Sequence, residues 1–62
     1  MTKIVVFYVD NDSPVSASVD NFMFEQDAIN AAKARGLDYY YRHEQHFVDE
    51  MLVHASWERV NV

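Results

Sequence analysis

Residues 4–9 read Ile4, Val5, Val6, Phe7, Tyr8, Val9, six β-branched or aromatic side chains in succession. Strand propensity is high at every one of these positions. Neighbouring strand residues point to opposite sides, so Ile4, Val6 and Tyr8 share one face and Val5, Phe7 and Val9 the other. A strand apolar on both faces belongs inside a sheet and needs cover twice over. In a chain of 62 residues that demand is hard to meet, because a domain of this size buries only about 60% of the surface it exposes when unfolded. Few elements are available to supply the second cover, and a homodimer is its simplest source.

The rest of the composition narrows the possibilities. Half of the residues are apolar, with four Phe, four Tyr and one Trp, which suits one compact domain over residues 1–62. With no cysteine there is neither a disulfide framework nor a thiolate metal site. The apolar run at residues 4–9 is far short of the ~18 residues a membrane helix needs. Asp10, Asn11 and Asp12 end it too early for a signal-peptide core, so a soluble, cytoplasmic protein without membrane contact is expected. Net charge is −5 and unevenly spread: residues 1–27 hold five acids (Asp10, Asp12, Asp20, Glu25, Asp27) against Lys3 alone. Without clustered Lys and Arg, direct nucleic-acid binding is disfavoured. An acidic surface instead favours a protein partner with a basic surface, including one that itself binds nucleic acid.

Along the chain, Asp10 to Pro14 is a dense turn signal. Val15 to Asp20 then alternates apolar and polar, predicting a second strand antiparallel to the first. A helix is predicted over Glu25–Arg35, with Glu25 as N-cap, Phe24 stapling Ile29, and Ala28, Ile29 and Ala32 as the buried stripe. Gly36, the only glycine, fits a left-handed C′ position, with Leu37 at C″ able to touch Ala32. From Asp38 to Ala55 seven apolar residues fall within roughly 140° at helical pitch, which predicts a second helix capped by Asp38. The run Tyr39-Tyr40-Tyr41 also has high β-propensity, and a strand from Tyr39 to about Gln45 is the main alternative. Residues 57–62 close the chain as a short strand. The expected fold is α+β in the order β-β-α-α-β: a three-stranded sheet, first strand central, with helices packed on one face. The other face would leave an apolar patch for dimerisation or partner binding.

All three histidines lie within twelve residues of the predicted second helix. His43, His46, Glu50 and His54 would share an arc of roughly 80° there, and His46, Glu50 and His54 are the candidate metal ligands. His43 and His54 would be about 16 Å apart along the axis, so the four cannot serve one ion. The same cluster could act as a pH-responsive face. Glu44 falls inside the apolar arc and needs a cation, a Tyr hydroxyl or a raised pKa; Arg35 and Arg59 are the candidate cations, and a raised pKa would suit general acid/base work. Asp10-Asn11-Asp12 opens like a calcium loop, but Val15 and Asn21 occupy the positions where Gly and Glu are required. No glycine-rich phosphate loop or nucleophile motif is present, and no cofactor is implied.

In size, acidity and compact plan the chain is similar to many small viral or mobile-element proteins that bind and block a host protein, a likeness that transfers no site residue. The residues expected to meet a partner are Asp10, Asp12, Asp20, Glu25, Asp27, Tyr39 and Trp57, the acids for charge and the aromatics for contact. The expected function is a non-enzymatic, dimeric inhibitor or regulator that docks on a basic protein. The alternatives are a metal- or pH-responsive regulator and a small enzyme built on Glu44.

Overall fold

The structure is a computed structural model that describes residues 1–11 and 18–62. It contains β1 (Thr2–Asp10), β2 (Val19–Phe22), α1 (Glu25–Ala34), β3 (Tyr39–Val48) and β4 (Met51–Asn61). The four strands form one antiparallel sheet in the order β2-β1-β3-β4. As its two apolar faces require, β1 is an inner strand, paired through Phe7–Phe22 on one side and through Thr2–Phe47 to Tyr8–Tyr41 on the other. The turn and alternation read at residues 12–17 lie outside the described residues. Asn21 and Phe22, beyond the predicted end of the second strand at Asp20, belong to it.

The predicted three-stranded sheet with two helices is overturned, because residues 38–55 do not form a helix. They build the long β3–β4 hairpin, paired from Tyr39–Asn61 to Val48–Met51. Strand propensity at Tyr39, Tyr40 and Tyr41 prevails over a fortuitous helical period, as tertiary pairing commonly allows. The hairpin turns at Asp49 and Glu50, whose φ angles of 50° and 64° are both in the left-handed region. A tight hairpin loop needs that combination, usually supplied by Asn-Gly, and Asp-Glu carries no such signature. Near the turn, His46 pairs with His54 and Phe47 with Leu52, leaving Val53 as a bulge.

The helix conforms to its sequence more closely at its C-terminus than at its N-terminus. The N-cap is Phe24 rather than Glu25, with extended φ and ψ (−118°, 133°) and no side-chain cap. Phe24 is 72% exposed, so the expected staple on Ile29 gives it little cover. Glu25 and Asp27 in the first turn and Lys33 in the last still oppose the helix dipole favourably. At the other end Gly36 has φ 71°. Its N–H donates to the Lys33 carbonyl at 3.1 Å, and the Leu37 N–H donates to that of Ala32 at 2.9 Å. This is the Schellman pattern, and it satisfies two carbonyls the helix would otherwise leave open.

The core lies between α1 and one face of the sheet. Phe7, Val9, Ala28, Ala32 and Tyr40 are buried, with Val5, Phe22, Ile29, Ala31, Leu37 and Val60 packed around them. Ala28 and Ala32 let the helix approach closely. Tyr40 brings its own polar partner: its hydroxyl donates to Glu25 Oε2 at 2.8 Å, tying β3 to the start of α1. Burial, and then this bond to a carboxylate, push the Tyr40 phenol up to about 12. The helix lies over β1, β2 and β3 and does not reach β4. One helix therefore covers part of one face, and nothing among the described residues covers the other.

Candidate partner-binding face

Register decides which side chains share the uncovered face. The odd-numbered apolar residues of β1 point to the helix, so Ile4, Val6 and Tyr8 point away from it. Their cross-strand partners come with them: Val6 pairs with His43, Tyr8 with Tyr41, and His43 with Trp57. The His43 and Trp57 rings stack at 3.9 Å and 5°, and Tyr8 leans on Trp57 at 5.2 Å. Trp57 remains 61% exposed and Val19 51%. Tyr8, Asp10, Val19, Tyr41 and Trp57 line a shallow depression of about 510 Å³ that crosses all four strands.

Asp10 is among the residues that line this depression. It accepts a 2.6 Å hydrogen bond from the Tyr39 hydroxyl. That bond, together with partial burial, raises the Tyr39 phenol above its ordinary value. The Arg59 guanidinium lies 4.3 Å over the Tyr39 ring, a cation–π contact on the same face.

The residues expected from sequence to meet a partner divide into groups. Asp10, Tyr39 and Trp57 are brought onto the open face. Asp20 stands on the helix side of the sheet and is paired with Arg35. Glu25 accepts the Tyr40 bond, and Asp27 is exposed on the first turn of α1. Asp12 lies outside the described residues. The acids thus form no single patch, and three of them, Asp10, Asp20 and Glu25, already have internal partners. Tyr8, Val19 and Tyr41 are not among the site residues expected from sequence, and His43 is expected there only as part of the histidine stripe. Their signal was the shared two-residue period of Ile4-Val6-Tyr8 and Tyr39-Tyr41-His43, visible once residues 39–48 are read as a strand.

The histidine cluster changes character in the same way. On strands, the i,i+4 spacings that joined His46, Glu50 and His54 no longer bring side chains together. His46 and His54 are instead cross-strand neighbours, with rings 5.7 Å apart, while Glu50 sits in the hairpin turn. His43 is on the opposite face, stacked on Trp57. Among the described residues no group of three or more His, Asp or Glu side chains is placed to hold a metal ion.

Glu44 does find cations, though neither Arg35 nor Arg59. Its Oε1 accepts from Arg42 at 2.7 Å, with Lys3 at 3.9 Å, and its Oε2 contacts His46 Nε2 at 2.6 Å. The His46 and Arg42 bonds hold the Glu44 carboxyl down at about 2, below its ordinary value of 4.5. A carboxylate so firmly ionised is a poor proton shuttle near neutrality. This polar group occupies the part of the helix-side face that α1 leaves bare.

Searches against family models, curated proteins and solved structures found no match for this chain. No helix among the described residues is long and apolar enough to cross a membrane.

Proposed function

We infer that the chain is a non-enzymatic protein-binding module whose open sheet face takes a basic segment of another protein, acting as its inhibitor or regulator. One observation carries this reading: Tyr8, Tyr41 and Trp57 converge on a single depression, with Asp10 among the residues that line it. Aromatic faces attract a guanidinium or ammonium group, and a carboxylate beside them completes a site for an Arg or Lys side chain. Tyr and Trp are also the residue types that dominate binding hot spots. The net charge of −5 adds long-range attraction for a basic partner.

Trp57 is the only tryptophan, so its fluorescence reports directly on the depression. Titration with an arginine-rich peptide is expected to change that emission, with affinity falling as salt rises. Asp10→Asn should weaken binding by about tenfold, the scale of one charged hydrogen bond. Equal binding of a glutamate-rich peptide, or affinity indifferent to both salt and Asp10→Asn, would refute the reading.

A further inference from the structure

The two edges of the sheet are unlike each other. β2 is four residues long and offers little backbone for pairing, whereas β4 runs for eleven residues with no strand on its outer side among the described residues. Long open edges invite pairing with other chains, and proteins blunt them with Pro, Lys, bulges or short length. β4 has no Pro and no Lys, its single bulge is near one end, and every residue except Val60 is exposed. Glu58 and Arg59 cancel, so this edge is neutral within a chain of net charge −5.

Its sequence is also complementary to itself. When a strand pairs antiparallel with its own copy, opposing residues must share a face, so the two-fold axis passes through a residue. Ser56 is the midpoint of Met51–Asn61, and an axis there pairs His54–Glu58, the stretch between the Val53 bulge and its mirror position, where opposing residues keep a common face. In that register His54 of each copy stands opposite Glu58 of the other, a donor facing an acceptor twice over. Trp57 of each copy stands opposite Ala55 of the other, a large side chain beside a small one. An axis at Glu58 would instead oppose two carboxylates.

We propose that two copies of this chain pair through their β4 edges, antiparallel about Ser56, to form a continuous eight-stranded sheet. The inference is independent of the open-face reading. Both depressions remain uncovered on the same side of the joined sheet, so a dimer would present two basic-segment sites to one partner. Bivalent attachment of that kind raises avidity without new contacts.

Sedimentation equilibrium of the wild type tests association, and cysteine cross-linking tests the register. The chain has no native cysteine. Ser56→Cys would set two thiols across the axis, where the ~4.5–5.5 Å spacing of directly opposed residues suits a disulfide. Glu58→Cys would hold its two thiols roughly 13 Å apart. The expected result is a species of twice the 7.3 kDa chain mass, with Ser56→Cys cross-linking under mild oxidation at least about tenfold faster than Glu58→Cys. A wild type that stays monomeric up to its solubility limit would overturn the proposal. So would a dimer in which the two variants cross-link equally fast.

Discussion

Tyr40→Phe isolates the hydrogen bond that ties β3 to the start of α1. The substitution keeps the ring, which is 3% exposed and packed 6.1 Å from Phe7, and removes only the hydroxyl that donates to Glu25 Oε2 at 2.8 Å. Glu25 is exposed and can recover water, so the cost at pH 7 should be about 1 kcal/mol, the net worth of a typical hydrogen bond. For a chain of this size that corresponds to a fall of about 8 °C in melting temperature. The pH dependence is more discriminating. The Tyr40 phenol is raised from 10.0 to about 12 in the folded protein. A folded-state pKa above the unfolded value gives stability that is complete below pH 10 and is lost as pH rises towards 12. Linkage puts the loss at about 1.4 kcal/mol by pH 11 and about 2 kcal/mol by pH 12. The phenyl ring of the variant has nothing to ionise, and the other tyrosines are common to both proteins and cancel. Urea unfolding followed by circular dichroism should therefore find the wild type more stable at pH 7 and Tyr40→Phe more stable by pH 12, with the curves crossing near pH 11. A constant difference from pH 7 to pH 12 would refute the argument.

Other perturbations have equally definite outcomes. Glu44 has its pKa depressed from 4.5 to about 2 by His46 and Arg42, so its stabilisation is present above pH 4.5 and lost as pH falls towards 2; Glu44→Gln should flatten that part of a melting-temperature profile. Glu50→Gly relieves a side chain held at φ 64° in the hairpin turn and should stabilise the protein by about 1 kcal/mol in urea melts. Gly36→Ala should cost about 1 kcal/mol, because φ 71° is unfavourable for any residue with a Cβ even though the space is open. Trp57→Ala should abolish arginine-peptide binding, measured by calorimetry, while costing no more than about 1.5 kcal/mol of stability through its lost stack on His43.

What could be read from the sequence followed from local chemistry. The two-sided run Ile4–Val9 pointed to an inner strand, and Gly36 with Leu37 marked the end of α1 correctly. The bare face was also foreseen, since one small chain cannot cover β1 twice. Residues 38–55 resist a local reading because the evidence for a strand pair there is almost entirely non-local. Asp49 and Glu50 turn the chain without the glycine or asparagine that normally marks a hairpin. Arg42, Glu44 and His46 share one face only when residues 39–48 are read as a strand, and beside β1 they form a polar row with Lys3. Read as a helix, the same residues give a histidine stripe and an isolated Glu44. Read as strands, they give a His46–His54 pair and an ion-paired Glu44. The candidate site suffers with the fold, since Tyr8, Tyr41 and Trp57 come together only through the β1-β3-β4 register.

The central claim is that the uncovered sheet face, with its aromatic depression, is the docking surface. Amide chemical-shift mapping of the labelled chain, titrated with an arginine-rich peptide, tests it most directly. Perturbations should concentrate at Tyr8, Asp10, Val19, Tyr41 and Trp57 and leave α1 nearly unmoved. Shifts confined to α1 or to the Lys3–Arg42–Glu44–His46 side of the sheet, or no shifts at all, would contradict it.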